Sequence, residues 1–175
     1  MKKNEYSYAH IWDEEGSSCL AIEHVMTSAG PVILGVLGDG TNVETVKRIV
    51  GWFYEDALPI ICEHGLGKRV KNTFMQRDDF RDEKLRVVVL HRGRYFVYPE
   101  DGSVRRLPKK NGVPRGYLLA SEDFIREISG EECGYILGEK HIGTVQSRLD
   151  ELGRRAQVRN REGSYSAVYL SYGKE

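Results

Sequence analysis

The sequence predicts an α+β fold in a single domain spanning residues 1–175, and three observations lead to it. Short aliphatic runs bounded by turn residues recur along the chain and lie close to one another in sequence, the pattern of locally paired antiparallel strands. Between them lie segments with apolar residues at helical spacing, such as Val43, Val46, Ile49, Val50, Phe53 and Ala57. The chain has 175 residues, 40% of them hydrophobic and 30% charged, which is enough for one core and too little for two comfortable domains.

The elements follow in order. Leu20–Val25 and Val32–Leu37 are aliphatic runs separated by Thr27-Ser28-Ala29-Gly30-Pro31, which reads as a β-hairpin. Directly after Asp39-Gly40, Thr41-Asn42-Val43-Glu44 has the form of a capping box, so a helix starts there. Pro59 is expected to end or kink it, with Ile60, Ile61, Leu66 and Val70 in a second helical piece, and the charged stretch Arg77 to Lys84 reads as a loop. Leu85–Leu90, Arg94–Tyr98 and Ser103–Leu107 read as a three-stranded meander with turns at Arg92-Gly93 and Asp101-Gly102. Pro108 to Gly116 is a basic loop, and Tyr117–Ala120 is a strand. Ser121 is placed to cap a helix whose first turn carries Glu122 and Asp123. His141 to Gln157 carries Ile142, Val145, Leu149 and Leu152 on one helical face, and Tyr165–Tyr172 is a terminal strand.

Composition narrows the function classes. Lys plus Arg (26) equals Asp plus Glu (26), so no whole-chain field draws the protein to nucleic acid or an anionic membrane. The longest nearly apolar stretch, Pro31 to Gly38, is far short of the roughly 20 residues of a spanning helix, and no apolar segment follows the charged start, so the expectation is a cytoplasmic protein. Cys19, Cys62 and Cys133 have no paired spacing and read as small buried residues of a reducing compartment. His24, His64, His91 and His141 lack ligand spacing, and no base or orienter accompanies Ser18 or Cys19 as a nucleophile. The cations Arg105, Arg106, Lys109, Lys110 and Arg115 read as a solvated loop, with nucleic-acid contact as the sharper alternative.

Four short segments recur in a telling order: Gly35-Val36-Leu37-Gly38-Asp39-Gly40, His91-Arg92-Gly93-Arg94, Leu118-Leu119-Ala120-Ser121-Glu122-Asp123 and Gly163-Ser164-Tyr165-Ser166-Ala167-Val168. In this order, with strands ending at Asp39-Gly40 and Ser121-Glu122, the chain from about Ser17 to Tyr172 resembles the protein phosphatase 2C family, particularly its compact bacterial form. The resemblance implies a two-sheet β-sandwich flanked by α-helices, here shortened between the first long helix and the central strands. It also implies a centre of two magnesium or manganese ions whose bridging water attacks a phosphoserine or phosphothreonine, chemistry that needs several oxygen ligands.

Set on that pattern, most ligands are replaced. Asp39 and Gly40 match the bridging carboxylate and backbone carbonyl, but Thr41-Asn42-Val43 replaces the glycine loop that follows. The upstream acidic motif falls on Gly16-Ser17-Ser18 and the phosphate-binding arginine falls near Asp13. Gly-Asp-Ser-Arg becomes His91-Arg92-Gly93-Arg94, Ser-Asp-Gly becomes Ser121-Glu122-Asp123, and the final Asp-Asn falls on Gly163-Ser164 beside Glu162. The resemblance therefore implies a degenerate site: Asp39, Gly40 and Glu122 as residual, weak metal ligands, no catalytic residue, and an unassigned phosphate-binding group. A firm cofactor is not expected, only weakly held magnesium or manganese at most. The functional expectation is a catalytically inactive pseudophosphatase that regulates or binds a protein partner, a phosphoprotein among the candidates, without nucleic acid or membrane. A homodimer stays open, and the alternative is a divergent metal-dependent serine/threonine phosphatase.

Overall fold

The computed structural model describes residues 6–82, 84–138 and 143–173. Two four-stranded antiparallel sheets stack face to face, each covered on its outer face by helices. The first sheet has the order β2-β3-β4-β5, from Ser18–Thr27, Gly30–Asp39, Leu85–His91 and Arg94–Tyr98. The second has the order β1-β10-β9-β6, from Tyr6–Ile11, Ala167–Tyr172, Gly116–Ala120 and Arg105–Arg106. The predicted α+β sandwich is thus the observed one, and β1 joins it as an edge strand from a segment the sequence left unassigned.

Strand alternation sorts the side chains into three apolar layers. Along β3, Val32, Leu34 and Val36 face the helices, while Ile33 and Leu37 face the other sheet. Along β10, Val168 and Leu170 point between the sheets and Ala167 and Tyr169 point outward. Gly35 lies where the other sheet packs tightly against β3: a Cβ there would stand 2.9 Å from Leu170 Cδ1.

The outer layer of the first sheet comprises α1 (Val43–Trp52), a π-helical turn (Phe53–Ala57), α2 (Leu58–His64) and α3 (Lys68–Met75). Of the two outcomes expected at Pro59, an end or a kink, the helix does not end there. The π-turn, closed by the Leu58 N–H on the Phe53 carbonyl, widens the backbone just ahead of the residue that lacks an N–H. The cap is also displaced by one residue: Asn42, not Thr41, accepts from the Glu44 N–H, and Thr41 donates its hydroxyl to Asp82. The charged stretch after α3 includes a 3-10 turn, Asp78–Phe80, that buries Phe80 against Trp52 and Phe74.

The meander is corrected as well. The Asp101-Gly102 turn forms, but Ser103–Leu107 leaves the first sheet and β6 pairs with β9 in the second. Val104 enters the layer between the sheets, and the Arg105 guanidinium donates to the Ile125 and Ile128 carbonyls at the end of α4 (Glu122–Glu127), anchorage available only on that side. The basic loop contains a small hairpin, β7 (Lys109–Lys110) and β8 (Val113–Pro114), turned by Asn111 and Gly112 with φ of 55° and 78°. After α4 come α5 (Gly130–Leu137) and α6 (Val145–Arg159); His141 and Ile142, expected to open that last helix, lie outside the described residues. Cys19 and Cys133 are buried as expected, whereas Cys62 is exposed. His91 is a satisfied core residue, its Nδ1 3.1 Å from the Pro31 carbonyl oxygen.

Candidate functional site

Register decides which of the four sequence segments meet. Asp39 ends β3, where its N–H donates to the Lys84 carbonyl, and Ser18 pairs opposite it on β2. Ala120 ends β9 opposite Ala167 on β10, so Ser121–Asp123 and Ser164–Ser166 emerge at one point of the second sheet. A hydrogen bond from the Glu122 N–H to Asp39 Oδ2, 2.8 Å long, joins these two strand ends. Three segments therefore converge. The fourth does not: β4 runs antiparallel to β3, with Leu85 beside Gly38 and Leu90 beside Ile33, so the turn His91–Arg94 lies at the other end of the sheet.

At the convergent end the Asp39 carboxylate is committed on both oxygens. Oδ1 accepts from the Ser18 hydroxyl at 3.2 Å and Oδ2 from the Glu122 N–H. The Glu122 contact is made by its backbone while its side chain is exposed, so the carboxylate stands at the start of α4 as a cap. Ser121, expected to cap with its hydroxyl, instead donates it to the Ser164 carbonyl and accepts from the Ser166 N–H. Asp123 accepts from the Ser164 N–H at 2.8 Å and pairs with Arg126. These bonds lace the two loops into one polar seam.

Gly40 adopts φ of 77°, which an L side chain rarely takes, and its N–H donates to the Ser17 carbonyl. Lys84 lies across it: a Cβ on Gly40 would come 3.7 Å from the ammonium Nζ. A mobile-stemmed cation thus sits beside the residue that should offer a carbonyl to a metal. Ser164, next to Gly163 where the last acidic ligand would fall, packs its hydroxyl against Gly16, and that buried Oγ finds no hydrogen-bond partner among the described residues. Glu162 is exposed in the turn after α6. Asp13, where a phosphate-binding arginine would fall, donates its N–H to Ser166 Oγ.

Neighbouring side chains add no nucleophile. Burial pushes the Cys19 thiol pKa up, and its Sγ faces the Thr41 carbonyl at 3.3 Å. Trp12 projects at the same end, 53% exposed, its indole N–H held on the Ser18 carbonyl at 3.1 Å. Neither Lys84 nor Trp12 is marked by a motif. Lys84 reads as one charge in a polar stretch, and Trp12 precedes the first predicted strand.

Among the described residues, no group of three or more His, Cys, Asp or Glu side chains is arranged to hold a metal ion. A hard divalent cation requires about six oxygen donors, and a hydrolytic pair requires carboxylates that bridge. One carboxylate already bonded at both oxygens, one exposed glutamate and a nearby lysine do not fit a two-metal centre. Among the described residues, no helix is long and apolar enough to cross a membrane.

No protein-family model matches the sequence, and neither does any curated protein. Solved structures do match. The serine/threonine phosphatase of S. agalactiae superposes with a TM-score of 0.56 at 12% identity, over 97% of this chain and 100% of that one. The serine/threonine phosphatase Stp1 of Staphylococcus aureus gives 0.54 at 10% identity, over 98% and 96%. The PP2C phosphatase domain of the cell fate determinant SpoIIE from Bacillus subtilis, solved with a fragment of its regulatory domain, gives 0.51 at 10% identity, over 100% and 66%.

Proposed function

This chain carries the phosphatase-2C-like fold, and we propose that it uses that fold without catalysis, as a pseudophosphatase that binds a protein partner at the former active-site end. The observation that carries the proposal is the double commitment of Asp39. In a metal-dependent phosphatase the equivalent carboxylate bridges two cations. Here it ties the end of β3 to Ser18 and to the start of α4 in the opposite sheet. A metal at Asp39, Gly40 and Glu122 would have to compete with both hydrogen bonds and with the Lys84 ammonium.

A rigidly held, half-exposed tryptophan beside a polar seam is the kind of anchor on which protein interfaces concentrate their energy, and Trp12 supplies it here. A phosphoprotein is the specific partner proposed, with Lys84, beside Gly40, as a cation available to its phosphate. A second copy of the chain is the competing occupant, separable by light scattering of the free protein.

The test is calorimetry of manganese and magnesium on the purified chain and its Asp39→Ala variant, with an aryl phosphate assay in parallel. No turnover, and a heat of metal binding that is absent or unchanged by the variant, is the expected result. Metal binding together with turnover, both abolished by Asp39→Ala, would establish the divergent phosphatase instead.

A further inference from the structure

The opposite end of the second sheet holds a feature that the phosphatase comparison does not assign. Where Ala167 begins β10 at the Asp39 end, Ser171 to Gly173 finish it at the other, and there a cavity of about 240 Å³ opens between β10, the start of α6 and the end of α5. Its described lining includes two arginines, Arg115 and Arg148, and no carboxylate. Pro108, Leu137 and Val145 supply an apolar wall.

Arg148 is placed where a protein without an anion gains little from it. Arg148 is the fourth residue of a 15-residue helix, at the end where the macrodipole is positive, and the first turn of that helix carries no acidic residue to offset it. One guanidinium nitrogen donates to the Gly143 carbonyl at 2.7 Å, but the buried Nε–H finds no acceptor among the described residues. A buried, unsatisfied donor on a charged group is costly unless a ligand completes it. Beneath the two arginines lies Tyr169, whose hydroxyl donates to the Leu107 carbonyl. Burial drives its pKa up to about 12 against the opposing pull of its hydrogen bond with Ser171 and of the Arg148 and Arg115 charges, and Tyr169 lines the same cavity as both arginines.

We propose that this cavity is a binding site for a small organic anion, a carboxylate or phosphate monoester on a compact apolar body. The anionic group lies between Arg115 and Arg148 and the apolar part lies against Pro108, Leu137 and Val145. A cavity of about 240 Å³ has room for one small ring and its charged group. Arginine is suited to both anions because its planar fork meets either with paired hydrogen bonds.

The experiment is a titration of the full chain with benzoate, with phenyl phosphate and with neutral phenol at constant ionic strength. It is followed by the arginine Nε–H resonances in nitrogen-15 spectra and by calorimetry. The expected result is a saturable shift of the Arg148 Nε–H signal with one or both anions and not with phenol. Affinity should fall about tenfold or more in Arg148→Met and in Arg115→Met, and stay unchanged in Arg94→Met, a charge control on the other sheet. Binding of benzoate alone identifies a carboxylate ligand, and binding of phenyl phosphate alone identifies a phosphate. If Arg148→Met does not fold, Arg115→Met carries the decision. The proposal is overturned if neither anion shifts the Arg148 signal at millimolar concentration, if phenol or chloride shifts it equally, or if the folded variants bind as the parent does.

Discussion

Replacing Asp39 with alanine separates a structural clasp from a metal ligand, because the two roles predict opposite effects on the metal-free protein. As a clasp, the carboxylate accepts two hydrogen bonds, from Ser18 Oγ at 3.2 Å and from the Glu122 N–H at 2.8 Å. Hydrogen bonds to a charged group contribute ~1.5–3 kcal/mol each in mutational series. The Ser18 bond is long, and water can reach the exposed start of α4 once the carboxylate is gone, so the sum is discounted to about 2 kcal/mol, in the range of a lost helix cap. For a chain of this length that corresponds to a fall in Tm of roughly 4–8 °C. The assay is thermal unfolding of both proteins in chelator and then in excess manganese. A carboxylate retained to hold cations would be released from repulsion by its removal, leaving the variant as stable as the parent or more so. If Asp39→Ala in chelator melts at or above the parent, and manganese raises the Tm of the parent alone, the clasp argument is wrong.

Three other outcomes follow from the packing. Gly35→Val should cost about 1–3 kcal/mol in urea unfolding, because the new Cβ stands 2.9 Å from Leu170 Cδ1 and 3.2 Å from Val168 Cγ1 between two packed sheets; a neutral result would mean that the sheets separate easily. Arg105→Ala should cost about 1–3 kcal/mol by releasing the Ile125 and Ile128 carbonyls at the end of α4, and lysine should restore less than half of that because it lacks the fork. On the α5–α6 face, Arg154 and then Arg155 hold the Glu151 carboxyl down to about 2, and Arg159 and then Arg155 lower that of Glu132. Both folded pKa values lie below the ordinary 4.5, so their contribution is present above that value and is lost as pH falls toward about 2. Denaturant midpoints measured across that window should fall less steeply in Glu132→Gln than in the parent, and an unchanged slope would remove this pair from the acid response.

The hairpin β2–β3, the helix after Asp39 and strands β4, β5, β9 and β10 were legible because each is a local pattern: alternation or helical spacing bounded by turn residues. What escaped depends on partners distant in sequence. β1 is followed by a turn at Asp13–Gly16 but pairs along Tyr172 to Ala167 at the far end of the chain. Ser103–Leu107 follows a strong turn, yet it joins the other sheet, where the Arg105 guanidinium reaches the Ile125 and Ile128 carbonyls 20 and 23 residues downstream. Pro59 breaks the helical pattern by rule, and the fold absorbs it in one π-turn.

The site was legible in a different sense. The order of strand ends in which the chain resembles the phosphatase 2C family located Asp39, Ser121 and Ser164, and the structure brings those three segments to one place. Missing ligands can be read from a sequence, because each is a residue type at a position. Their replacements cannot, because a replacement is a contact. Nothing in the sequence says that the Glu122 backbone takes an oxygen of Asp39, that Lys84 folds over Gly40, or that Gly16 leaves room for the Ser164 hydroxyl. Yet it is on these contacts that the proposed reading rests, since they make this end of the molecule a joint between sheets. A site stripped of ligands alone would leave Asp39 as a solvated or repelled anion. Here it accepts from both sheets at once and joins two strand ends, so under the proposed reading keeping the aspartate requires no metal to explain it.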